Sequence, residues 1–309
     1  MPSSAANPRA TPRANGLTKA QAYHYCMGIA QRHYENFPTA SRLIHRKLRP
    51  AVAAIYAFAR AADDMADEGN VPTAKRLKQI DAWESLLERC EDEEIDHPVF
   101  LALGDAINTF NLPIESLHNL LIAFRMDVSI HSYATQNELM FYCKHSANPV
   151  GRLMLALHGI TDPQVQNYSD ALCTALQLTN FWQDLKVDIP NGRCYLAQEW
   201  LEKSGFSSEQ VIHGELTSEQ LKPALTEAFA VTRQLFQEGA KILPYLPFRL
   251  RLQIAATLHG GMAILQATRQ LEDPLNQRSS LKKNHWYRMA AGVLVTTLRP
   301  SRLLSMEIA

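Results

Sequence analysis

From Leu17 onward, apolar residues return every three or four positions, the spacing that lines one face of an α-helix, and prolines cut the pattern into segments. Ends placed at these breakers predict helices near 18–34, 50–68, 73–90, 97–110, 113–128, 135–158, 163–189, 219–243, 247–271 and 282–299. Runs of alternating β-branched residues are scarce, so no sheet is expected. No repeat of fixed period appears and no Gly/Ser-rich linker divides the chain. The pattern predicts an all-α protein with one helical domain over 17–309. Residues 1–16 are rich in Pro, Ala and Ser, have no apolar core of a signal peptide, and read as a disordered leader.

Composition narrows the classes. The chain has 309 residues, 46% of them hydrophobic and 20% charged, enough to bury a large core. Lys+Arg and Asp+Glu both total 31, so no global field draws nucleic acid or an acidic membrane. Cys26, Cys90, Cys143, Cys173 and Cys194 are odd in number and widely spaced, which suggests neither a disulfide framework nor a zinc site. The expected location is the cytoplasm. The most apolar late windows, 254–267 and 289–298, are interrupted or too short for the roughly 20 residues of a membrane span. At most, Leu298 to Ile308, with Arg299 and Arg302, would touch a membrane surface peripherally.

Two stretches carry candidate chemistry. The first runs Tyr56-Ala-Phe-Ala-Arg60-Ala-Ala-Asp63-Asp64-Met-Ala-Asp67-Glu68-Gly69; the second contains Gln177, Asn180, Phe181, Trp182, Gln183, Asp184, Asp188, Arg193 and Tyr195. Each is an apolar helical run that ends at a breaker, Gly69 with Pro72 or Pro190-Asn191-Gly192, so its carboxylates fall in a helix's last turns. A helix C-terminus is already negative, and acid there costs about 0.3–1 kcal/mol per charge, so positive groups should compensate. Asp63 and Asp67 share a face roughly 6 Å apart along the axis; Asn180, Asp184 and Asp188 continue the same step. Oxygen ladders of this kind suit Mg²⁺, which commonly bridges one or two carboxylates to phosphates. The Glu-x-x-His steps at Glu94/His97 and Glu115/His118 offer a rival, a di-iron carboxylate redox site, but leave both ladders unexplained.

The two stretches together resemble the aspartate-rich motifs of the squalene and phytoene synthase family, head-to-head prenyl synthases. Tyr56 to Asp67 matches the first motif; Gln177, Asn180, Asp184 and Asp188, then Arg193-Cys-Tyr195-Leu196, match the second. The likeness runs back through His33-Tyr-Glu-Asn36-Phe37-Pro38 and covers about Gln21 to Leu196 well, but Val211 to Ala309 only in pattern. Within the family, Glu35-Asn-Phe-Pro38 and Asn180-Phe-Trp-Gln-Asp184 most resemble the hopanoid-pathway branch that makes hydroxysqualene from presqualene diphosphate. Many members carry Arg where this chain has Gln183.

The resemblance implies a terpenoid-synthase-like bundle around a central cavity, with the two ladders facing across its mouth. It implies Mg²⁺ on Asp63, Asp67, Asn180, Asp184 and Asp188, with Asp63, Asp67, Asp184, Asp188 and Tyr56 catalytic. His33, Asn36, Phe37, Arg60, Gln177, Arg193 and Tyr195 would bind the diphosphate, with Arg278 a further candidate. Tyr56 and Phe181, on the ladder faces, would stabilise a carbocation through their ring faces. The implied reaction ionises presqualene diphosphate, rearranges it and quenches the cation with water. Condensation of two farnesyl diphosphates is the alternative, as is a noncatalytic isoprenoid-binding protein. Partners would be the prenyl diphosphate and neighbouring squalene-pathway enzymes, with no nucleic acid.

Overall fold

Proline, glycine and a few side-chain caps decide where the helices stop. The computed structural model describes residues 16–32, 44–67, 69, 71–90, 95–281 and 292–298. These residues are helical apart from turns, and among them no strand forms, only an isolated bridge between Ser132 and Cys194. The chain divides into two compact units, Met1–Ile114 and Glu115–Ala309.

In the first unit, α1 (Lys19–Arg32), α2 (Arg49–Asp67), α3 (Thr73–Arg89) and α4 (Pro98–Phe110) follow the expected pattern to within a few residues. α2 is the axis, with Ala51 to Phe58 buried without interruption. Its alanines let α1 and α4 pack closely, and Phe58 meets Trp83 of α3 at 6.1 Å and Phe100 of α4 at 6.0 Å. Asp105 of α4 takes Lys19 at 2.7 Å and the Tyr23 hydroxyl at 2.9 Å, which fastens α1. Gly104 allows no substitute, since a Cβ there would fall 2.0 Å from the Cys90 carbonyl oxygen.

The second unit comprises α5 (Ile114–Ser129), α6 (Gln136–Ser146), α7 (Asn148–Leu157), α8 (Pro163–Gln183), α9 (Leu185–Asp188), α10 (Gln198–Glu202), α11 (Ser208–Ile212), α12 (Ser218–Ala240), α13 (Phe248–Arg269) and a helical stretch at 292–298. α8 is its centre, with α7, α12 and α13 laid on it. Glycines permit these crossings. A Cβ on Gly239 of α12 would lie 2.7 Å from the Leu172 backbone, and one on Gly151 of α7 would lie 2.4 Å from Ser169 Oγ. Trp182 is fully buried at the α8–α12 seam, and its indole N–H donates to Thr232 Oγ1 at 2.8 Å.

Two expected helices are interrupted. The 135–158 helix breaks at Ala147, because Pro149 has no N–H to continue the ladder and instead opens α7 from its first turn. The 163–189 helix breaks at Asp184, whose φ of −103° and ψ of 16° leave helical space. α10 and α11 were not predicted: each is five residues long, too short for a period to register.

Candidate active site

α2 carries the first acidic motif. Tyr56 is buried, and Arg60 stands one turn beyond it with Asp63 and Asp64 following. The Arg60 guanidinium pairs with Asp63 Oδ2 at 3.1 Å and with Asp64 Oδ1 at 2.6 Å. Burial raises the Tyr56 phenol, with Arg60 pulling against it, so the hydroxyl stays protonated. Asp67 is exposed at the helix end. The compensation demanded by acid at a C-terminus comes from Arg60 and also from Arg76 of α3. Arg76 donates to the Ala66 carbonyl, to the Gly69 carbonyl at 2.6 Å and to the Val71 carbonyl at 3.0 Å. It satisfies orphan carbonyls of α2 where the dipole is negative. His33, Asn36 and Phe37 lie outside the described residues.

The second acidic motif is built on α8 and the turn that follows it. The Asp184 N–H donates to the Asn180 carbonyl at 2.9 Å and the Asp188 N–H to the Asp184 carbonyl at 2.8 Å, so the ladder keeps its step across the break. Gln177, Asn180, Asp184 and Asp188 all retain solvent access. Beyond a 3₁₀ turn over Ile189–Asn191, Gly192 takes φ 78°, and the Arg193 N–H returns to the Asp188 carbonyl at 3.0 Å. The chain then runs beside the α5–α6 loop: the Cys194 N–H donates to the His131 carbonyl at 2.8 Å and the Gln198 N–H to the Tyr133 carbonyl at 2.9 Å.

That pairing lays Tyr195 flat on Phe181, with centroids 3.6 Å apart and planes 5° from parallel. Tyr142 of α6 stands 6.0 Å from Phe181 and 6.2 Å from Tyr195; Tyr133 stands 5.6 Å from Tyr142. The result is an aromatic wall whose Phe181 directly follows Asn180 and lies three residues before Asp184. Burial and the charge of Asp127 push the Tyr133 and Tyr142 phenols far up, and Tyr142 hydrogen-bonds Asp127, so both hydroxyls remain donors at any physiological pH. Sequence reasoning singled out Phe181 and Tyr195 but missed Tyr133 and Tyr142. The Tyr142-Cys-x-His145 helix face offered only an ordinary aromatic at a core position.

Arg278, a further candidate for the diphosphate, meets the second ladder. Its guanidinium forks onto Asp184, Nε to Oδ1 at 2.5 Å and Nη2 to Oδ2 at 3.2 Å, and the Asp184 bond with the nearby Asp188 charge holds its proton more tightly. The donors fit a hard cation, because Mg²⁺ needs only one or two carboxylates with water and phosphate completing its shell. Among the described residues, no three His, Cys, Asp or Glu side chains gather as a cage.

The di-iron reading finds no support in the described residues. His97 is the N-cap of α4, its Nδ1 accepting from the Val99 N–H at 3.3 Å, and its ring packs edge-on against Trp83 at 5.1 Å. Glu94 lies outside the described residues. A cleft of about 820 Å³ between α12 and α13, lined by Phe229, Arg233, Phe236, His259 and Met262 among others, contains none of the predicted site residues.

Helices packed on an alanine-rich or glycine-notched axis, each axis ending in carboxylates met by arginine, define an all-α protein of the terpenoid-synthase kind. The chain belongs to the squalene/phytoene synthase family, whose profile matches residues 30–287. It is 35% identical over 255 residues to a hydroxysqualene synthase of Rhodopseudomonas palustris, covering 80% of this chain and 84% of that one. A hydroxysqualene synthase of Sinorhizobium fredii is 33% identical over 250 residues, covering 80% and 83%. Among solved structures, squalene synthase HpnC from Alicyclobacillus acidocaldarius superposes with a TM-score of 0.76 at 36% identity, over 82% of this chain and 94% of that one. The family match thus reaches well past Leu196, into the segment where only the pattern was legible. The protein is an enzyme of this family. No helix among the described residues is long and apolar enough to cross a membrane.

Proposed function

We propose that this enzyme converts presqualene diphosphate to hydroxysqualene in squalene and hopanoid biosynthesis, a carbon–oxygen lyase step followed by capture of water. The observation that carries the reading is the Phe181–Tyr195 stack, with Phe181 set between Asn180 and Asp184 in the chain. An apolar, π-rich surface next in sequence to groups that would handle anionic charge supports this reading. Relatives that bear the name hydroxysqualene synthase over four-fifths of the chain support the same branch.

In this reading the carbon–oxygen bond to diphosphate breaks heterolytically, with the electron pair leaving on the diphosphate. Asp63 and Asp67, like Asn180, Asp184 and Asp188, would hold Mg²⁺, whose charge stabilises the departing anion when bound. Arg60, Arg193 and Arg278 add charge-assisted hydrogen bonds to diphosphate oxygens, and Gln177 adds a neutral donor. The outward ring face of the Phe181–Tyr195 stack would stabilise the rearranging cation by about 0.5–2 kcal/mol. Tyr142, protonated and anchored on Asp127, is the group best suited to hold the one water that adds to the cation. The loss of a proton from that water completes hydroxysqualene. A C30 chain partitions into lipid, so the enzyme would work in the cytoplasm beside the membrane. It would take its substrate from a condensing enzyme and pass its alcohol to a reducing one.

A second reading is favoured by phytoene synthases of Mycobacterium, 30% identical over 231 residues: condensation of two prenyl diphosphates. One experiment separates the two. Purified protein is incubated with presqualene diphosphate or farnesyl diphosphate, with Mg²⁺ and with or without NADPH, and products are read by mass spectrometry. Hydroxysqualene from presqualene diphosphate with Mg²⁺ alone is expected. Squalene formed only with NADPH, or efficient consumption of farnesyl diphosphate, overturns the reading.

A further inference from the structure

Gln183 is the last residue of α8, and its side chain is engaged. Its Nε2 donates to the backbone carbonyl of Ser279 at 2.9 Å, 96 residues later in the chain. Ser279 is itself buried, with its hydroxyl 2.7 Å from Thr268 Oγ1 on α13. Thr268 donates its one proton to the Ile264 carbonyl at 2.9 Å, so the Ser279 hydroxyl is the donor between them. Ser279 is therefore fixed from both sides, by α8 through its carbonyl and by α13 through its hydroxyl. The residue before it is Arg278, whose guanidinium forks onto Asp184, the neighbour of Gln183. Two consecutive residues of α8's end thus hold two consecutive residues of the 277–281 segment.

We propose that Gln183 is a positioning residue that latches Arg278 onto Asp184, so that a divalent cation can bind Asp184 only when Arg278 lets go. Neither a neutral nor an apolar side chain at 183 would otherwise restore positive charge to the ladder. The latch imports it from a segment that, without the Gln183–Ser279 bond, keeps only the Ser279–Thr268 anchor. Arg278 is more than half exposed, so its exchange from carboxylate to a diphosphate oxygen needs no opening of the core. The cation part of the proposal rests on the metal assignment above; the latch itself does not.

The test uses full-length protein and keeps the two parts apart. Metal-free wild type, Gln183→Leu, Gln183→Arg and Arg278→Gln are first compared by melting temperature to establish folding. Limited trypsin digestion then reads cleavage after Arg278. Gln183→Leu, which loses the donor, is expected to be cut about fivefold faster. Gln183→Arg, which keeps a donor within reach of the Ser279 carbonyl, is expected to match wild type. Mn²⁺ titration followed by electron paramagnetic resonance reads the cation. Gln183→Leu and Arg278→Gln should each tighten binding roughly fivefold, or about 1 kcal/mol, the upper range for a partly exposed ion pair. The double variant should gain no more than Arg278→Gln alone, because both changes remove one competitor. Cleavage of Gln183→Leu at the wild-type rate overturns the latch. Faster cleavage with unchanged Mn²⁺ affinity in both variants overturns the competition and with it the metal assignment at Asp184.

Discussion

Acid should unfold the first unit through one histidine. His97 is packed among Trp83 and Phe100, with ring centroids at 5.1 and 5.3 Å, and its Nδ1 accepts the Val99 N–H as the cap of α4. Burial lowers its pKa from 6.5 to about 4, with Asp96 opposing. Protonation would place a charge in an aromatic nest and turn the capping acceptor into a donor. The sign follows from linkage. Between pH 6.5 and 4 the unfolded chain binds the proton and the folded one does not, so stability falls as pH drops through 6.5 and levels off near 4. A shift of this size amounts to roughly 3 kcal/mol in full and about 2 kcal/mol by pH 5. The assay is urea unfolding at pH 8, 7, 6 and 5 for wild type and for His97→Asn, which keeps an acceptor for the Val99 N–H but does not titrate here. Other groups titrate alike in both proteins and cancel. Between pH 8 and 5, wild type should lose about 2 kcal/mol more than the variant. Parallel curves would refute a neutral, capping His97 and reopen its candidacy as a ligand.

Three further outcomes are expected. Asp63→Ala and Asp184→Ala should each lower turnover by roughly 100-fold or more with little change in melting temperature, since both remove acid from a helix C-terminus; near-normal turnover in Asp184→Ala would sink the ladder assignment. Gly239→Ala should destabilise by about 1–3 kcal/mol in urea, because its Cβ would meet the Leu172 backbone at 2.7 Å and force α12 off α8; an unchanged midpoint would contradict that crossing. Tyr142→Phe keeps the ring in the wall but leaves Asp127 without its phenol, so kcat should fall about tenfold while KM stays near wild type; equal loss in both would make Tyr142 a packing residue only.

How much of this was legible in the sequence depends on range along the chain. Period and proline gave α1 to α5, α12 and α13 nearly to their ends, because an amphipathic helix reports its buried face within four residues. The breaks at Ala147 and Asp184 were read through, since each costs the apolar pattern a single residue. Tyr195 on Phe181 was half visible. Both residues stood in the motif, but their face-to-face contact needs the 193–198 stretch to pair with 131–134, which no local spacing encodes.

The same limit decides how the charge argument came out. Acid at two helix C-termini called for positive partners, and the physics is right at both ends. At α2 the partners are Arg60, three and four residues before Asp63 and Asp64, and Arg76, ten residues after Ala66. Both lie within the reach of a helix turn or of the loop to the next helix, so they can be found by eye. At α8 the partner is Arg278, 94 residues beyond Asp184, aligned by a glutamine whose own partner is 96 residues away. A substitution that looks in the sequence like the loss of a charge is, in the fold, an amide that sets where a distant charge sits. Position 183 should therefore be judged by what it holds as well as by what it carries.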